Sequence, residues 1–125
     1  MMRQDPGSIH CKRIYEAPDP LDGYRVLVDR IWPRGMTREA ASIDEWLKEI
    51  GPSTELRNWF AHRTERWAAF VQRYRVELSN AGQLILLKQL SDIADRQPLT
   101  LLYSARDVSH NQAVVVADVL REMRR

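Results

Sequence analysis

Seven consecutive residues, Asp29-Arg30-Ile31-Trp32-Pro33-Arg34-Gly35, hold a carboxylate, two guanidinium groups and an indole. Arginine forks grip phosphate or carboxylate through paired N–H bonds, and an acid beside them orients the fork or accepts a proton. Trp32 offers a flat wall for a ring or for a stacked guanidinium. Pro33 stiffens the turn, and Gly35 admits a backbone angle closed to most residues. A second group of similar composition lies far along the chain: Ser104-Ala105-Arg106-Asp107, then Val108-Ser109-His110-Asn111-Gln112. Ser109 and Gln112 have capping-box spacing, which predicts a helix from about His110 with its free N–H groups turned toward Arg106. Together the two groups have the chemistry of an anion cradle. Arg30, Arg34 and Arg106 would hold the anion, Asp29 and Asp107 would orient them or take a proton, and Asn111 would complete it. Trp32 or Trp59 would supply a stacking wall.

Other reactive side chains carry less. His62 follows "RNWFA", where it would act as a base or anion ligand, or close the end of a helix through its charge. His10 and His110 read as solvent-facing. Three histidines without short spacing predict no metal site, and glycine-rich phosphate loops are absent, so no cofactor is expected. Cys11 beside Lys12 and Arg13 reads as a small core residue rather than a nucleophile. Ser53 and Ser104 lack a relay partner. Lys48 and Arg57 are either part of a basic rim or solvated charges.

Three strands must position the two groups. Residues 9–15, 24–31 and 99–104 read as strands, the last two apolar enough to be covered on both faces. "EAPDPLDG" between the first two is a turn or loop, too short for a helical crossover, so the direction of the first strand stays open. Ser42 with Glu45 predicts a short helix through about residue 50, stopped by Gly51-Pro52. Ser53 caps "TELRNWF". The stripe Trp67, Phe70, Val71, Tyr74 and Leu78 predicts a longer helix, and two more follow around Leu84–Ala94 and Ala113–Met123. The expected fold is a single small α/β domain over 1–125, about three strands in a mostly parallel sheet with about five helices, with residues 1–8 poorly ordered.

At 125 residues and 44% apolar, the chain has room for one core. One cysteine excludes an internal disulfide. No apolar run approaches a membrane span and no signal peptide is visible, which predicts a cytoplasmic protein without membrane partners. Sixteen arginines against three lysines give a net charge of only +2. Without a basic tract, a nucleic-acid partner is possible but not favoured. Composition leaves the oligomeric state open.

"DGYRVLVDRIWPRG", "WLKEIGPSTELRNWF", "RWAAFVQRYRVEL" and "LTLLYSARDVSHNQAVVV" resemble the YeaO-like family of uncharacterised bacterial proteins, a domain-of-unknown-function family, over roughly residues 9 to 121. The resemblance implies a small α/β domain and supplies no established activity. Inherited labels in that family include a porphyrin methyltransferase, which no glycine-rich loop here supports. Its signature falls on Asp29, Arg30, Trp32, Pro33, Arg34 and Gly35, then on Trp46, Lys48, Pro52, Ser53, Leu56, Arg57, Trp59, Phe60 and His62, and on Asp107, Asn111 and Ala113. Two departures stand out. His62-Arg63-Thr64 replaces a frequent His-Asp-Pro, and Gln112 stands where the family often has histidine.

Two functions remain open from sequence. One is a hydrolase or transferase acting on a phosphorylated or nucleotide-like substrate, with Asp29 or His62 as base. The other is a non-catalytic binding or regulatory module for an anionic metabolite or nucleic acid.

Overall fold

A computed structural model describes residues 6–125. Its sheet has four strands, β1 (Ile9–Arg13), β2 (Tyr24–Leu27), β3 (Glu45–Trp46) and β4 (Leu99–Tyr103), in the order β1-β4-β2-β3. Every neighbouring pair is parallel, which settles the direction of the first strand. All five residues of β4 are buried, as befits a central strand covered on both faces, and its one polar side chain, Thr100, donates to the Asp22 carbonyl. Around the sheet lie α1 (Arg38–Ala41), α2 (Thr54–Phe60), α3 (Trp67–Leu78), α4 (Ala81–Ala94) and α5 (Gln112–Met123).

Strand alternation divides the interior into two parts. Val26, Val28, Leu99, Leu101 and Tyr103 face the stripe of α3 (Phe70, Tyr74, Leu78), with Leu87 and Leu90 of α4 and Val116 and Leu120 of α5. Each fully buried leucine here contributes roughly 2 kcal/mol. On the opposite face Leu27 and Leu102 meet only Ile14 and Ala41, roofed by Trp32, Met36, Ile43 and Trp46. The two indoles stand edge to face at 5.3 Å, with Arg38 over Trp32 at 4.6 Å. Trp32 Nε1 donates to the Met36 carbonyl and Trp46 Nε1 to that of Asp29, both at 2.7 Å. Arg25 shares this face with Leu27 and is 5% exposed. Its guanidinium donates to Asp22 and to the carbonyls of Ala41 and Ser42, while Lys12 meets the same Asp22 carboxylate at 3.1 Å.

Two expectations are corrected. The helix expected from Ser42 to residue 50 does not form: Ser42 instead ends α1 at φ 46°, and Glu45–Trp46 pair with β2 as the fourth strand. Arg25 draws in the Ala41 and Ser42 carbonyls, and Asp44 binds the Arg25 backbone on both sides, so sheet pairing overrides the capping spacing. The last helix starts at Gln112 because Asn111, not Ser109, is its cap and accepts the Val114 N–H. Of residues 1–8, expected to be poorly ordered, residues 1–5 lie outside the described residues; the Gly7 N–H donates to the Ala94 carbonyl.

Candidate functional site

β1, β2 and β4 end on the same side, and a cleft of about 1050 Å³ opens beyond their carboxyl ends, where open α/β sheets keep ligands. Residues 29–34 after β2 and 104–107 after β4 line it, with Arg13 at the end of β1 and Tyr15 just beyond it. Arg57, Phe60 and His62 close one side, and Phe70 with residues 110–112 closes another. Of the residues singled out by sequence, the cleft gathers Asp29, Arg30, Trp32, Arg34, His62, Arg106, Asp107 and Asn111, and leaves out Trp59.

Val28 still donates to the Leu102 carbonyl, so Asp29 is the first position past the ladder. Its side chain is 6% exposed. One carboxylate oxygen accepts the Ser104 N–H at 3.0 Å and the other accepts from the Gln112 side-chain amide. Among the described residues it forms no ion pair with Arg30, Arg34 or Arg106. Burial pushes its pKa up to about 6, against hydrogen bonds from Ser104 and the positive charge of Arg57.

The arginines divide by what they already hold. Arg30 donates to the carbonyls of Gly51 and Pro52, both at 2.8 Å, fastening the approach to α2. A side chain at Gly51 would come within 2.9 Å of the Arg30 backbone nitrogen, so that junction requires glycine. Arg13 similarly ties the end of β1 to the carbonyls of Ser104 and Ala105. Arg34, Arg57 and Arg106 are exposed, and among the described residues their guanidinium groups have no hydrogen-bond or ion-pair partner. Tyr15 donates to the Arg34 carbonyl at 2.7 Å and Gly35 adopts φ 74°, which fixes that turn and leaves the guanidinium outward.

Asp107 accepts the Ser109 and His110 N–H groups and the His110 ring, contacts that lower its pKa, Ser109 foremost. Asn111, 2% exposed, donates to the Asp107 carbonyl and caps α5. Both therefore hold the loop that presents Arg106. His62 follows Ala61 with two successive left-handed residues, φ 47° and 58°, at the end of α2. Trp59 lies between Arg66 and Arg73, at 5.0 and 4.1 Å. Burial raises the Cys11 thiol to about 11, leaving it inert as a nucleophile at neutral pH. Among the described residues no group of three His, Cys, Asp or Glu side chains comes together as metal ligands would. No helix there is long and apolar enough to cross a membrane.

Sequence reasoning missed Arg13, Phe60, Phe70 and Gln112 as cleft residues. Arg13 carried a usable signal, being at the carboxyl end of a strand. Gln112 carried one too: of the two places at which the chain departs from the resembling family, this one touches Asp29.

This architecture defines a small α/β protein with a parallel sheet and an arginine-rimmed cleft at its carboxyl end. The chain belongs to the family described as the inactive DUF488-N3 subclade, whose model matches residues 8–125. It is 49% identical over 116 residues to the uncharacterised protein YeaO of Escherichia coli K12, covering 93% of this chain and 99% of that one. The uncharacterised protein Rv3073c of Mycobacterium tuberculosis H37Rv is 39% identical over 112 residues, 90% of this chain and 92% of its own. No solved structure matches.

Proposed function

We propose that the cleft binds a small anionic metabolite without transforming it, as a cytoplasmic binding or regulatory module. The observation that carries this is the unpartnered state of Arg34, Arg57 and Arg106 around one cavity. Three like charges facing one space repel one another, and a phosphate or carboxylate would relieve that. Description of the family subclade as inactive supports binding without turnover. So does Asp29, whose two oxygens already accept hydrogen bonds from the fold.

Thermal shifts of wild type and of an Arg34→Ala/Arg106→Ala variant test this with inorganic phosphate, nucleotides, sugar phosphates, carboxylates, polyphosphate and short oligonucleotides. An anion at 100 times its Kd should stabilise wild type by about 2.7 kcal/mol and leave the variant unmoved. A steep salt slope with oligonucleotides would redirect the reading to nucleic acid. If no anion shifts wild type, the reading fails. A second reading keeps one observation: a buried carboxyl raised to about 6 suits a general base. Turnover of any phosphate ester that disappears in Asp29→Asn would favour it.

A further inference from the structure

We propose that the ligand of this cleft is dipolar: an organic anion that also carries an N–H or O–H donor, its acidic group on the Arg34–Arg57–Arg106 rim and its donor on Asp29. This rests on the anion-binding reading above and adds an orientation and a chemical class to it.

Three observations lead there. First, the cavity, at about 1050 Å³, is far larger than a lone phosphate or sulfate needs and falls in the range of organic-ligand sites. Second, the inner wall is rich in acceptors. A carboxylate has about four acceptor sites, and Asp29 uses them for the Ser104 N–H, the Gln112 amide and the neighbouring Ser104 hydroxyl, short of its full capacity. The Gln112 amide oxygen has no partner among the described residues, although its nitrogen is committed to Asp29. Third, among the described residues no cation forms an ion pair with Asp29, on which Arg57 acts only from a distance, whereas Asp22 is met by both Lys12 and Arg25. A buried carboxylate with open acceptor sites and no ion-pair partner repels an anion and welcomes a donor, most of all an ammonium.

Apolar surface lies in the same cleft. Phe60 and Phe70, their rings 4.5 Å apart, line it together with the arginines and Asp29. A ligand with a short apolar body between acid and donor therefore matches basic rim, aromatic wall and acceptor floor. A ligand turned the other way would set its anion against Asp29 and its donor against guanidinium groups.

Three isosteric probes decide the matter by calorimetry on the full chain: propyl phosphate, 2-hydroxyethyl phosphate and phosphoethanolamine, which differ only in ending in methyl, hydroxyl or ammonium. Affinity should rise in that order, by about ten-fold or more from first to last. Asp29→Asn, which keeps the shape without the charge, should bring methyl and ammonium probes to within about two-fold of each other. Equal affinity of the three for wild type, with binding lost in Arg34→Ala/Arg106→Ala, overturns the dipolar ligand and leaves the anion site standing. If none binds, or if the arginine variant binds as wild type does, the anion-binding reading falls and this one with it. The wild-type comparison stands alone should Asp29→Asn fail to fold.

Discussion

Two buried aspartates bracket β2, and their surroundings are opposite. Asp22, before the strand, is met by Lys12 and Arg25 and accepts the Asp19 N–H as well. Burial raises its pKa, but those bonds together outweigh burial and hold the carboxyl below its ordinary range. Asp29, after the strand, is as well buried; its hydrogen-bond donors are neutral and Arg57 acts on it only from a distance, so burial prevails and the pKa rises to about 6. A charge neutralised by its neighbours belongs to the fold. One left without an ion-pair partner, facing a cavity, is available to something outside it.

Breaking the Asp22 cluster should have the largest effect. Asp22→Ala strands Arg25 and Lys12 without a counter-charge on a closed face and should cost roughly 3–5 kcal/mol, measured by urea denaturation. Because its folded pKa is lowered, Asp22 stabilises above the unfolded value and loses that contribution as pH falls through the folded one. Asp29 acts in the opposite sense. Its folded pKa lies above the ordinary 3.8, so the folded state holds the proton more tightly, and stability declines as pH rises from about 4 to about 6. Asp29→Asn should therefore melt higher than wild type at pH 8, by up to about 3 kcal/mol, with the difference gone below pH 4. The Gln112 amide turns over to meet the new N–H donor. A variant less stable than wild type at pH 8 would show that the carboxylate is better compensated than burial implies.

Gln112→His sharpens the same contrast. An imidazolium against Asp29 would supply the missing cation and should lower the carboxyl pKa by about one to three units, read by NMR titration. Smallest of all is Arg34→Ala. Without a partner in the fold, this side chain should change stability by no more than about 0.5 kcal/mol while abolishing anion binding.

Much of this was legible beforehand, for identifiable reasons. Val26-Leu27-Val28 is a continuous apolar run and Leu99 to Tyr103 is broken only by Thr100, a pattern that central strands bury, so the strand ends and the acids and arginines beyond them could be placed together. What stayed hidden depended on contacts distant in sequence. Ser42 and Glu45 satisfy a helix-start spacing, yet Arg25 claims the carbonyls on which that helix would have been built. Ser109 was outbid as a cap by Asn111 once Asp107 had bound the loop N–H groups. Arg30 and Arg34 look alike in sequence. Only the packing of Gly51-Pro52 against the end of β2 separates the arginine that fastens the chain from the one left free.

The position of β4 has a consequence for how the molecule is made. β1 and β2 are not paired with each other; each pairs with β4, so Ile9 and Tyr24 both wait for Leu99. During synthesis the first strands leave the ribosome long before the segment that joins them, and their edges stay open meanwhile. Such distant pairings close slowly. A nascent chain stopped before residue 99 lacks the strand that joins β1 to β2, and the centre of the sheet can close only after that strand has emerged. Both halves of the cleft come into being in that single late event.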